Sequence, residues 1–324
     1  MIRVFHHADG IWQSSSWGEP GLPSRNIWID LVSPSADEIG AVQRHLSIEI
    51  PSRAEMQEIE ATSRLYQENG AYFMTATAVT SPEHDNLESS AVTFILSDAF
   101  LVTVRYLNPK PFDAFAARIQ KPGSGCSAST DLMIGLLELI IDRMADILEM
   151  HGAEVERISR MIFASRDRKS RKKINLHAII QDIGLEGNHF STLRESILSV
   201  SRLALYLNQA VAQHLRAGEL RETLKEVSRD LASLADHDSF MASKINFLLD
   251  AILGMISIEQ NQIIKLFSVA AVVFLPPTLI ASIYGMNFRF IPELSWELGY
   301  PMAILIMIGS AAVPYLYFKR KGWL

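Results

Sequence analysis

Two apolar runs without a single charge lie at the C-terminal end of this chain: Leu266 to Phe288, 23 residues, and Leu298 to Phe318, 21 residues. As a helix, each is long enough to cross a hydrocarbon core of about 30 Å at about 1.5 Å per residue. The chain therefore reads as a membrane protein whose two spans close its sequence. Between them, Arg289 to Glu297 form a nine-residue loop with one arginine and two glutamates, Glu293 and Glu297. The tripeptide Gly285-Met286-Asn287 ends the first run where that loop begins, the place where an ion path would open.

Orientation follows from charge, because lysine and arginine are retained on the cytoplasmic side of a membrane. Lys319-Arg320-Lys321 come after the second span and Lys265 opens the first, which predicts cytoplasmic termini and an external loop. Met1 to Gly10 hold no long apolar core behind a basic start, so they do not read as a secretory signal. The one cysteine, Cys126, excludes an intrachain disulfide and cannot build a thiolate zinc site, which suits a soluble part in a reducing compartment. A formal charge of −6 argues against a nucleic-acid partner. No Walker-type loop is present, and no nucleophile and base stand at a recognisable spacing, so neither an ATPase nor another enzyme is expected.

Residues 1 to about 125 alternate strand and helix signals, with β-branched and aromatic runs at Ile2–Phe5, Asn26–Leu31, Ala71–Thr80, Ala91–Leu96 and Leu101–Tyr106. This predicts an α/β domain within an α+β chain. Helices are expected over Asp37–Leu46 and, with Pro51 in the first turn, to about Glu60. Pro109, Pro111, Pro122, Gly123 and Gly125 mark the exit. Gly123-Ser-Gly125 lacks the lysine and spacing of a phosphate loop and reads as a flexible linker, with Ser127 or Ser129 capping the next helix. Three long helices then run to about Ser165, from about Ile174 to Ala217, and from Glu219 into the membrane. The basic run Arg166 to Lys173 between the first two reads as a solvated turn, and the acidic stripe Glu138, Asp142, Asp146 and Glu149 as a solvated face. Three segments result: an α/β domain 1–125, a long-helix stalk region 126–262, and two spans with their loop, 263–324, the helices at about 263–286 and 299–318.

The third long helix carries two stripes. Leu220, Leu224, Val227, Leu231, Leu234, Met241, Ile245, Leu248, Ile252 and Met255 keep four- and three-residue steps broken only at Asp238, a heptad seam that must pack on other helices. On another face Asp250, Gly254, Ser257, Asn261, Ile264, Ser268, Ala271, Leu275, Thr278 and Ser282 stay mostly small or polar, as a water-lining surface does. Two spans cannot enclose a pore, so any ion path requires several copies around one axis.

Tyr284-Gly-Met-Asn-Phe288, Pro292-Glu293-Leu294, the Gly299-Tyr300-Pro301 that opens the second span and the closing Tyr317 to Leu324, in this order, resemble the CorA family of magnesium and cobalt channels. Trp28-Ile-Asp-Leu31 and Leu101-Val-Thr-Val-Arg105 are similar to that family's N-terminal domain. The resemblance implies a homopentameric funnel in the inner membrane that passes hydrated Mg²⁺, with Co²⁺ or Ni²⁺ as passengers, down the membrane potential. It implies a filter at Gly285, Met286 and Asn287, with Asn287 and nearby carbonyls holding the hydrated ion. Mg²⁺ keeps its water tightly, so a ring of acceptors suffices. The resemblance also assigns Thr278, Leu275, Ala271, Phe267, Ile264 and Asn261 to the pore wall, although periodicity alone prefers Ser268 to Phe267. Asp250, together with Glu226 or Asp230, becomes a stalk acid that binds internal Mg²⁺ and holds the channel shut.

Two features depart from the pattern. Arg289 stands where relatives often carry an acid, leaving Glu293 and Glu297 as the outer carboxylates. None of the nine histidines lies in the motif or loop, so each reads as an ordinary surface or core residue and zinc binding is not expected. The rivals are a ZntB-like Zn²⁺ transporter and a non-conducting membrane-anchored scaffold, and the polar stripe from Asp250 to Asn261 counts against the second.

Overall fold

The computed structural model describes the chain apart from residues 9–10, 19–22, 24, 59, 81–86, 124, 164–174, 212–216, 288–290 and 324. The basic run 166–173 and Arg289 therefore lie outside the described residues. Strands β1 (Ile2–Ala8), β2 (Ile11–Ser15), β3 (Ile27–Val32), β4 (Leu65–Glu68), β5 (Ala71–Thr80), β6 (Glu88–Leu96) and β7 (Phe100–Arg105) form one sheet in the order β2-β1-β3-β7-β6-β5-β4. Central β3 and β7 pair in parallel, with Asp30 opposite Thr103, and the other neighbours are antiparallel. The five expected strands are present. The short edge strands β2 and β4 carry too little β-branched character to stand out in sequence.

The helices are α1 (Ala36–Leu46), α2 (Arg53–Met56), α3 (Ala61–Arg64), α4 (Lys110–Ile119), α5 (Ser129–Phe163), α6 (Leu176–Val211), α7 (Ala217–Tyr284) and α8 (Gly299–Arg320). The expected helix after Pro51 shrinks to the single turn α2, which Ser52 rather than Pro51 starts. Ser52 and Glu55 close a reciprocal capping box. Helix α4 occupies the segment that the prolines mark as an exit. Pro109 is its N-cap and Pro111 stands in its first turn, where no intrahelical donor is required. Neither Ser127 nor Ser129 caps α5. The Asp131 carboxylate instead accepts from the Ser127 amide (2.9 Å), the Ser127 hydroxyl (3.0 Å) and the Ala128 amide (3.0 Å).

Pleat alternation divides the sheet between two layers. Val4, Ile27, Ile29, Leu31, Phe73, Ile95, Val102 and Val104 face α1 and α2, burying Val42 and Met56. On the other face Trp28 stacks on Phe5 and meets Phe115 of α4 edge-on. Also on that face, Asp30 accepts from Arg105 Nε (3.0 Å), Arg105 Nη2 (2.8 Å) and Thr103 Oγ1 (2.8 Å), with both charged side chains fully buried. Helix α6 covers β5 beyond the short β4. Its Ser196 hydroxyl donates to the Thr77 carbonyl (2.6 Å) and its Ser199 hydroxyl accepts from the Thr77 amide (2.9 Å), which satisfies strand groups that β4 does not reach.

The heptad seam of α7 is buried at Leu220, Leu224, Val227, Leu231, Met241, Ile245 and Leu248. It packs on α5 and α6: Met241 lies over Gly152, Ile245 approaches Gly187, and Asp238 accepts from Arg194 Nε at 2.7 Å. By its internal contacts the chain divides into Met1–Leu248 and Leu249–Leu324, with α7 running through the boundary. Helices α5 and α6 pack on the sheet within the first of these units.

Candidate functional site

Helix α7 ends at Tyr284, just before the tripeptide. The Gly285 amide donates to the Ala281 carbonyl at 2.9 Å, and the Met286 amide to the Ile283 carbonyl at 3.3 Å, so the last turn tightens as the chain leaves the helix. The turn at Gly285 is made without a left-handed φ. What the position needs is closeness, since a Cβ there would stand 3.2 Å from the Ala281 oxygen and 3.6 Å from that of Ser282. Gly285, Met286 and Asn287 are all exposed, and the Asn287 amide makes no hydrogen bond to another described residue. A side chain so placed is available to accept from, or donate to, an ion's hydration water.

The loop beyond contains a 3₁₀ turn, Pro292–Ser295, closed by the Ser295 hydroxyl on the Pro292 carbonyl at 2.8 Å. Glu293 belongs to this turn, and Glu297 comes after it with an exposed side chain. The Gly299 amide bonds the Trp296 carbonyl at 2.9 Å and α8 begins. At the other end of the spans Lys265 lies 5.7 Å from the ring of Trp323, and Lys321 lies 5.3 Å from that of Tyr317. The start of the first apolar run and the end of the second thus meet as a cluster of cations and aromatic rings, as suits one membrane interface.

Along α7 the assigned wall residues Asn261, Ile264, Phe267, Ala271, Leu275 and Thr278 are all exposed, Phe267 at 72% and Leu275 at 68%. Ser268 is exposed too, so the structure leaves both candidates for that level on the open surface. Among the described residues nothing covers this face. From Leu249 onward the described buried residues are Ile252, Val269 and Ala303 alone. Both α7 and α8 are long and apolar enough to cross a membrane. The Thr278 hydroxyl donates to the Phe274 carbonyl at 2.7 Å, which turns its lone pairs outward. The helix continues through Pro276 and Pro277, whose missing amides free the carbonyls of Val272 and Val273 from their usual partners.

Asp250, Glu226 and Asp230 are exposed, and within one chain none of them joins other ligating groups at metal-binding distance among the described residues. Burial first, and then the charges of Asp142 and Glu226, push the Glu138 carboxyl above its ordinary range, while Arg118 pulls the other way. Two of the histidines belong to the core: His151 of α5 and His189 of α6 are buried together around Glu186, and only the three-residue step from Glu186 to His189 is visible in the sequence.

The family model and the sequence relatives agree on one family, and the solved structures share its fold. Residues 23–320 match the family model described as CorA-like Mg²⁺ transporter protein. The Magnesium transport protein CorA of Escherichia coli K12 is 36% identical over 299 residues, covering 92% of this chain and 92% of the relative. Among solved structures, the complete CorA magnesium transporter from Methanocaldococcus jannaschii superposes with a TM-score of 0.81 at 19% identity, covering 100% of this chain and 99% of the other. The ZntB cytoplasmic domain from Vibrio parahaemolyticus is more distant, with a TM-score of 0.59 at 8% identity over 79% of this chain and 97% of that one.

Proposed function

The chain belongs to the CorA-like Mg²⁺ transporter family, and from that premise we propose that it carries Mg²⁺ inward through a pore shared by several copies. The observation behind this reading is the uncovered face of α7. It runs from Asn261 to Thr278 with polar rings at both ends and leads to the exposed amide of Asn287. A face of that composition is poorly matched to lipid at Thr278 and Asn261 and gains by lining water when several copies meet. Five copies would form the funnel that the sequence resemblance implies, with residues 263–324 in the inner membrane and both termini in the cytoplasm.

Transport in this reading is passive. At about 2.3 kcal/mol per charge per 100 mV, a divalent cation gains roughly 4.6 kcal/mol on entry, so no ATP site is needed. Asn287 receives the hydrated ion through its water shell. Gly285 and Met286 set the position of that amide, while Glu293 and Glu297 raise the local cation concentration. Leu275 and Ile264 narrow the path on either side of Ala271, where an apolar constriction closes by dewetting. Co²⁺ and Ni²⁺ have hydrated forms of similar charge and pass by the same route. Asp250, with Glu226 and Asp230, binds Mg²⁺ between protomers on the cytosolic side and favours the closed arrangement.

The test is Mg²⁺ flux into liposomes carrying Asn287→Ala. The substitution removes an acceptor without touching a packed surface, so uptake should fall to background while the assembled oligomer persists in size-exclusion chromatography. Normal uptake by an assembled variant would refute the filter assignment. Zn²⁺ flux in the same liposomes, unaccompanied by Mg²⁺ flux, would favour the ZntB-like alternative.

A further inference from the structure

The structure assigns a second metal site, far in chemistry from the ion path and independent of the transport reading: a buried site for a Zn²⁺-type transition-metal ion formed by His151, Glu186 and His189. His151 comes from α5, and Glu186 and His189 from one face of α6. His151 Nδ1 stands 2.9 Å from Glu186 Oε2, His189 Nδ1 stands 3.7 Å from Glu186 Oε1, and the imidazole centroids are 4.3 Å apart. One ligand atom from each residue lies within 4.8 Å of the others. Tetrahedral coordination at about 2.0–2.1 Å places donor atoms roughly 3.3 Å apart, so small side-chain shifts close the site.

Burial makes the grouping informative. The three residues are only 5–6% exposed, and burying a carboxylate between two imidazoles is costly unless positive charge joins it. A divalent cation supplies that charge. Two imidazoles and a carboxylate suit Zn²⁺, Co²⁺ or Ni²⁺, whereas Mg²⁺ demands six oxygens in near-ideal octahedral geometry. All three residues line a cleft of about 540 Å³ that also presents Glu154 and Asp182. Arg157 in the same cleft is engaged by Glu154, at 2.7 Å from its Nε. An ion therefore has an entry path in which carboxylates outnumber the single guanidinium. Once bound, it ties α5 to α6.

The full-length chain in detergent should take up one Co²⁺ with the intense visible absorption of tetrahedral coordination, displaced by Zn²⁺ and untouched by excess Mg²⁺. His151→Gln and Glu186→Gln, each checked for native helicity by circular dichroism, should lose this signal. Affinity should fall by more than the about 10–100-fold that even an outer-shell partner is worth. Asn287→Ala should keep the signal, which separates this site from the filter and its failure from a failure of the transport reading. Absence of tetrahedral absorption in the wild-type chain, or its persistence in folded variants, would overturn the assignment.

Discussion

Removing Asp30 should strand a cation in the middle of the α/β unit. Arg105 is fully buried, and Asp30 supplies two of its contacts, at 3.0 Å to Nε and 2.8 Å to Nη2. After Asp30→Ala the guanidinium keeps the Leu107 carbonyl at 3.1 Å, the Asn108 side chain and the ring of Phe112 4.5 Å away. None of these carries a negative charge. Arginine does not shed its proton, so the charge stays buried and uncompensated. Arg3, whose Nη1 is 3.6 Å from Asp30, retreats to Asp113 at 2.6 Å and gives no relief. Breaking a buried pair from one side costs about 3–5 kcal/mol, against a total of about 5–15 kcal/mol for a folded domain. At about 2–4 °C per kcal/mol for a unit of this size, the midpoint of thermal unfolding should fall by roughly 6–20 °C. The measurement is circular dichroism of the full chain in detergent. Replacing both partners with apolar residues, Asp30→Leu with Arg105→Met, should recover most of the loss because no charge is stranded. A single variant that melts within about 2 °C of wild type, or a double variant as unstable as the single, would refute this reasoning.

Three further outcomes are expected. Asp250→Ala should shift inhibition by internal Mg²⁺ to higher concentration in patch recordings, and an unmoved curve would reduce Asp250 to a surface charge. Asp238→Leu should raise the melting temperature, because Asp238 interrupts an apolar seam and its partner Arg194, about half exposed, returns to water rather than being stranded. Burial raises the Asp238 carboxyl above its ordinary range, an effect that Arg194 only partly offsets. An acid whose folded value is raised costs stability above that value and recovers it as pH falls, so the advantage of leucine should shrink toward acid; a constant advantage would rule out the charge as its cause. Arg289→Glu should increase Mg²⁺ uptake at low external concentration, with the gain fading above about 0.15 M salt, where the screening length is about 8 Å. Equal gains at both salt levels would mean that Arg289 acts through loop structure.

How far the sequence can be read depends on where each signal is generated. The α7 seam is legible because every member, from Leu220 to Leu248, answers to one local period, and the structure buries that face on α5 and α6. Asp238 breaks the pattern in sequence and remains its anomaly in the fold, buried with one carboxylate oxygen lacking a hydrogen-bond partner. Helix α4 is hidden because Pro109 and Pro111 look like breakers, when the chain uses them as a start. The grouping of His151 with Glu186 cannot be seen at all, since their 35-residue separation is closed only by the packing of α5 on α6. Trp28 to Leu31 and Leu101 to Arg105 show the intermediate case. Each resembles the family segment by segment, but their pairing in parallel, with Asp30 opposite Thr103 and two residues from Arg105, is what makes them a single buried network.

The proposed filter poses the opposite problem, because its signal is strong in sequence and a single chain cannot enclose a pore. Thr278, Leu275 and Asn261 are exposed for the same reason that they are informative: no described residue covers them. The seam of α7 finds its partners within the protomer, whereas the stripe on its other face must find them in lipid or in further copies. A lipid-facing role would favour large apolar side chains at every level, yet this stripe places Ser257, Asn261, Ser268 and Thr278 among Ile264, Ala271 and Leu275. That composition serves a water-filled axis between copies better than it serves a bilayer. On the transport reading proposed above, Asn287 stands three residues beyond the end of α7 at Tyr284, where that stripe runs out.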